Sequence, residues 1–336
     1  MTDPHAAPAP APAVPPITSA TFPVPGAAIR TNDPARLAAI YEFAAHQADA
    51  ARDLAAWLAD YLARTRDRAE RTGAMSMVLR DATLWRYRHA CDHQDPRGVA
   101  ADADHYRRPI TDDTANFDRL GPSGRKCDGA VWDPVRQVFH GGAVTPAHDV
   151  LAHYGTRARQ RFDTEAPDAE VLYNEVTLPD GRTVTGNRLA RGAAAARIGE
   201  LLRSRLGERG VHQVETGGDP IYAVTATEED RIRLRTGAIT ALTAMAERAE
   251  HGDQPAALRA WVQAAYLAYQ SPATKKGSDA ATRVALVAAG AAALGHAPRL
   301  RHDIDLRAYV LGQGEFTTDL LAHQRDSHAT VERGRA

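Results

Sequence analysis

Lys275 and Lys276 stand side by side directly before Gly277-Ser278, and they are two of the three lysines in the chain. Apart from Lys126, every other strong cation is an arginine. A lysine ammonium is a compact point charge on a flexible stem, and a helix start presents unpaired backbone N–H groups and a positive dipole end. The pair sits at a predicted helix start and points to an anion site, with phosphate as the ligand chemistry. In that reading Lys275 and Lys276 neutralise phosphate charge. Gly277 and Ser278 donate backbone N–H groups, and Arg283, inside the helix, stabilises charge in a transition state. Asp279 opposes this, because a carboxylate at the cap competes with the anion. The plain alternative is a helix–helix loop with a Ser/Asp cap and solvated lysines.

Three further constellations bear on chemistry. Asp303-Ile304-Asp305 places two carboxylates at i and i+2, which on a strand share one face and suit a shared Mg²⁺. His89 and His93 share a helix face at a spacing that suits a transition metal, with His105, His148 or His153 as further ligands. Val138-Phe139-His140-Gly141-Gly142 ends a short strand on a glycine turn. It is similar to the NAD-binding His motif of some ADP-ribosyltransferases, whose later Tyr and Glu would be Tyr173 and Glu175.

The segment Ser271–Arg283, SPATKKGSDAATR, resembles a degenerate Fic/Doc signature, His-Pro-Phe-x-x-Gly-Asn-Gly-Arg-x-x-Arg. Pro272 matches the Pro, Gly277 the first Gly and Arg283 the last Arg. Ser271 stands in the slot of the catalytic His, one extra residue precedes Gly277, and Ser278-Asp279-Ala280 replaces Asn-Gly-Arg. The resemblance implies a mostly helical fold with a β-hairpin and a phosphate-cradling loop. It also implies nucleotidyl or phosphoryl transfer from a nucleoside triphosphate with Mg²⁺, although the family's general base is missing. A second resemblance uses Gly277-Ser278 and Asp303-x-Asp305, the Gly-Ser…Asp-x-Asp pattern of polymerase-beta-like nucleotidyltransferases. There Asp303 and Asp305 would hold Mg²⁺; here the intervening segment is long and helical. The competing class is a non-catalytic helical scaffold or partner-binding protein.

Apolar spacing sets the elements that must position these residues. Asn32 or Asp33 followed by Pro34 predicts a helix start, and the pattern runs to about residue 71 as one long helix or two joined by a kink. A second helix covers 76–90. Residues 92–145 are irregular, with short strands at 130–132 and 138–139, and 146–162 is helical. The runs VLYNEVTL and RTVTG flank Pro179-Asp180-Gly181, a hairpin turn in which Gly181 takes positive φ. Helices follow at 188–206, 228–251, 255–270, 279–295 and 317–324. The fold class is therefore mainly α, a helical bundle with a small β element.

The Ala/Pro-rich residues 1–29 are expected to be a disordered tail, 30–325 one domain and 326–336 a frayed end. A net charge of −1 over 336 residues gives no sign of a general nucleic-acid or membrane-surface binder. Two cysteines make no disulfide framework, and no apolar run reaches membrane-spanning length. No secretory signal is apparent at the N-terminus. The expected setting is the cytoplasm, with a small phosphorylated ligand and a protein partner as candidate partners.

Overall fold

A computed structural model describes residues 14–92 and 103–333. Helices dominate, with a small antiparallel sheet. The first helix, α1 (Pro34–Arg64), starts where its cap was expected. The Asp33 carboxylate accepts from the Ala35 and Arg36 N–H groups at 2.8 and 3.4 Å, and Pro34 occupies the first turn. The segment expected to run to about residue 71 ends as a helix at Arg64; after a break at Thr65 the chain restarts as α2 (Arg68–Asp92), which takes in the helix expected at 76–90. Asp67 accepts from Glu70 N at 2.8 Å there. Buried Arg71 donates to Thr65 O and pairs with Glu250.

The core bundle joins α1 and α2 to α5 (Glu228–Glu250), α6 (Gln254–Gln270) and α7 (Ser278–Leu294). Within α7, every residue from Val284 to Ala289 is fully buried. Its alanines let neighbours approach closely, and Trp261 spans the gap with its indole N–H donating to Leu286 O at 2.9 Å. Among the described residues, no helix is long and apolar enough to cross a membrane.

The predicted hairpin is part of a larger sheet. Strands β4 (Val171–Thr177) and β5 (Thr183–Ala190) meet at the expected turn, where Gly181 has φ +85°. They are extended by β6 (Ile221–Val224) and β1 (Phe117–Leu120), in the order β1-β6-β5-β4, all antiparallel. Strands β2 (Val131–Asp133) and β3 (Val138–His140) form a separate hairpin. Helix α3 (Pro146–Glu165) contacts β1 and β6, and α4 (Gly192–Gly207) contacts β6. The sheet is tied to the bundle by buried Gln270, whose amide oxygen accepts from Asn187 N at 2.7 Å and whose NH₂ donates to Ala308 O.

Several expectations are corrected. The β5 strand runs to Ala190, so the helix expected from 188 begins at Gly192. The Asp-x-Asp segment is not a strand: Asp303 precedes a short helix, α8 (Ile304–Val310), and Asp305 lies in its first turn. The last helix, α9 (Gln313–Arg333), starts before 317 and continues through most of the segment expected to fray. Residues 1–13 of the expected tail lie outside the described residues, but 14–29 is packed rather than loose. Ile17 and Phe22 are each 1% exposed in the main core, and Ile29 O accepts from Ala147 N at 2.9 Å. The Ala/Pro alternation ends at Val14, and the large apolar residues beyond it find a surface to cover. Phe22→Ala is therefore expected to lower the unfolding free energy by about 3–5 kcal/mol in a urea titration. A loss below about 1 kcal/mol would mean that the segment is only a tail.

Candidate anion-binding site

The 271–277 loop is built tightly. At the end of α6 the Ser271 hydroxyl donates back to Leu267 O at 2.8 Å. The Ser278 hydroxyl closes the turn, donating to Thr274 O at 2.9 Å and accepting from Thr274 N at 3.0 Å. Residues 273–276 run beside 105–110: Ile110 N donates to Ala273 O, Lys275 N to Arg108 O and Lys276 N to His105 O. Gly277 precedes α7 with φ +77°, and a Cβ there would lie 2.7 Å from both Arg86 Cγ and the Tyr106 ring. Glycine is required by conformation and by space together.

This changes the expected phosphate cradle. The backbone N–H groups of Lys275 and Lys276 already serve protein carbonyls, and Gly277 packs on Tyr106 and Arg86 where a phosphate approach was expected. Lys276 is exposed. Ser278 has its hydroxyl engaged inside the turn. The Lys275 side chain is the part of the cradle that lies among other cations.

The half-buried Lys275 ammonium lies 3.3 Å from Asn116 Oδ1 and 3.5 Å from Ala115 O. Burial, and then the charges of Arg205, Arg209, Arg231 and Arg108, push its pKa down to about 8. Arg205 is held by Asp113 O at 2.6 Å and Arg231 by Ile110 O at 2.7 Å. Asp112 and Glu228 bear on Arg231 as partial counter-charges. Sequence inspection missed these four arginines. They come from the 105–110 segment, the end of α4 and the start of α5, and nothing local marks them in an arginine-rich chain. The spacing of Arg205 and Arg209, one turn apart at a helix end, is the one pattern that could have drawn attention to two of them.

Arg283 does not belong to this cluster of cations. It is fully buried, its Nε donating to both Asp279 oxygens at 2.8 and 3.0 Å. The remaining guanidinium nitrogens donate to Pro23 O, Arg301 O and His302 O. Burial works against its charge, but Asp279, Tyr269 and Asp305 outweigh that and raise its pKa. Its expected role at a transition state gives way to a structural one.

The two proposed metal carboxylates have different partners. Asp303 accepts from Tyr154 Oη at 2.6 Å and from Arg307 Nε at 3.0 Å. Asp305 instead faces Asp279 and Arg283, with its Oδ1 enclosed and lacking a hydrogen-bond partner. Burial first, and then Asp279, push the Asp305 carboxyl up to about 7. Among the described residues, no group of three or more His, Cys, Asp or Glu side chains is placed to hold a metal ion. His89 packs against Phe43, His46 and Trp85, and its expected co-ligand His93 lies outside the described residues.

A larger cavity, about 410 Å³, opens at the β2–β3 hairpin. It is lined by His140, Gly141 and Gly142 together with Arg119, Cys127 and His148. Tyr173 and Glu175 lie on β4 of the other sheet and are not in its lining. Glu215 in its wall is committed to structure, accepting from the Ser123 hydroxyl and from Gly124 N at 2.9 Å.

Compared with known proteins, the chain matches no family model and no curated sequence.

The raised Asp305 pKa has a signed consequence for stability. Between about pH 4 and 7 the folded protein holds a proton that the unfolded chain has released. The group's stabilising contribution is fully present below pH 4 and is lost as pH rises through 7. Asp305→Asn stays neutral at every pH. Its melting temperature should match that of the wild type near pH 4.5 and exceed it at pH 8. Thermal denaturation across this range measures the difference, and a variant less stable than wild type at pH 8 would contradict the assignment.

Proposed function

We propose that this protein binds a phosphorylated small molecule, a nucleotide or another phosphate ester, at the Lys275 cluster. The observation that carries the reading is one partly buried lysine crowded by Arg108, Arg205, Arg209 and Arg231, with a pKa depressed to about 8. Positive charge concentrated at one place is relieved by a polyanion, and lysine and arginine together suit phosphate oxygens. Asn116 steers the ammonium, and Arg209 is exposed at the end of α4.

Binding, rather than group transfer, is the activity this geometry favours. In the Fic-like reading, the residue in the general-base slot is Ser271, 4% exposed and bonded to Leu267 O. The residue in the last arginine slot is the buried Arg283. With Asp303 and Asp305 apart, Mg²⁺ enters as the counter-ion of the ligand's phosphates. The unpaired thiols Cys91 and Cys127 suit a reducing, cytoplasmic setting.

The test is calorimetric titration with ATP and with inorganic pyrophosphate, with and without Mg²⁺. Lys275→Met should lower affinity about ten- to hundredfold, as expected for a lost charge-assisted contact. Arg209→Met should lower it less, and neither should disturb the far-UV spectrum. An anion raises the Lys275 pKa, so binding takes up protons and weakens as pH rises through about 8 in the wild type but not in Lys275→Met. The scaffold alternative expects no saturable heat with either ligand, and that result would refute phosphate binding.

A further inference from the structure

A second, smaller cavity adjoins the same loop, with a lining that does not include Lys275. It lies where α2, α5, α6 and α7 meet, and its polar lining is Thr83, Arg235, Ser271, Ser278 and Thr282. Its volume is about 20 Å³, room for one water-sized species.

Two of these side chains are unused. Among the described residues, Arg235 makes no hydrogen bond or ion pair, although Arg231 and Arg233 on the same helix are both bonded. Burial alone lowers its pKa, so no carboxylate offsets its charge. Thr282 is the second. Thr83, Thr236, Thr240 and Thr243 each donate to the carbonyl one turn back, at 2.9 to 3.0 Å. Among the described residues the Thr282 hydroxyl makes no such bond, so its proton is available to the cavity. The hydroxyls of Thr83, Ser271 and Ser278 already donate to Leu79 O, Leu267 O and Thr274 O.

We infer that this cavity holds one small monovalent anion of halide size, bound by the Arg235 guanidinium and the Thr282 hydroxyl. A water molecule fits the space but leaves the cation without an opposite charge, which disfavours a charge partly out of water. The lining contains no acidic side chain, and it includes Ser278 in the first turn of α7, where the helix dipole is positive. Phosphate and organic anions are too large for the space. The site is separate from the one proposed for phosphorylated ligands and does not depend on it.

The experiment compares melting temperatures in sodium chloride, sodium bromide and sodium gluconate at matched ionic strength, because gluconate cannot enter the cavity. Halide should raise the wild-type value saturably, by about 1–3 °C once its concentration passes the Kd tenfold. Arg235→Gln should abolish that rise. Thr282→Val, which keeps the volume and removes the donor, should shift the half-saturating concentration upward severalfold. Lys275→Met should leave the halide response intact, which separates this site from the phosphate site. Bromide anomalous scattering should show a single peak beside Arg235. A halide response unchanged in both Arg235→Gln and Thr282→Val, or no bromide peak in the cavity, would overturn the inference.

Discussion

A completely buried arginine organises this molecule. Arg283 projects from α7 where no water can reach it, and a charge so placed must be neutralised and bonded within the protein. Asp279, one turn earlier, supplies the opposite charge, and it also accepts from Tyr269 Oη at 3.0 Å. The carbonyls of Pro23, Arg301 and His302 take the remaining bonds. One side chain thus joins the N-terminal segment, the start of α7 and the chain entering α8. Asp305 is the cost of the arrangement: a second carboxyl close to Asp279, enclosed, and held protonated up to neutral pH.

With the start of α7 fixed in this way, the preceding loop has little freedom. It is bonded to 105–110 on one side and covered by Tyr106 and Arg86 at Gly277. These contacts use the backbone N–H groups of Lys275 and Lys276. The charge they leave is that of Lys275, which the same packing places among arginines from three other parts of the chain. The cationic cluster is therefore a product of packing: each member is unremarkable alone, and their combined field follows from the shared location.

The separation between acid and base is equally a matter of packing. Asp279, Asp303 and Asp305 lie close in sequence to the lysine pair or to one another, yet their partners are Arg283, Arg307, Tyr154 and Tyr269. The largest charges that act on Lys275 are those of arginines. Acidic groups bonded inside the fold and basic groups gathered around Lys275 give the chain a local polarity that its net charge of −1 conceals.

Long-range periodicity and capping determined most of the helices. Asp33-Pro34, the α5, α6 and α7 patterns and the Pro179-Asp180-Gly181 turn carry their signals within a few residues, so local chemistry was enough to place them. Short elements were illegible for the opposite reason. The β6 strand, Ile221–Val224, is buried at every position, so it shows no alternation, and β1 spans four residues. At the site, the sequence singled out the Lys275–Lys276 pair as unusual cations and assigned Gly277, Arg283, Asp303 and Asp305 by spacing along the chain. Spacing fixes neighbours within one element. Which face meets water, which carbonyl a buried guanidinium finds, and which distant arginines crowd one lysine depend on how separate elements pack. Only the tertiary structure decided those.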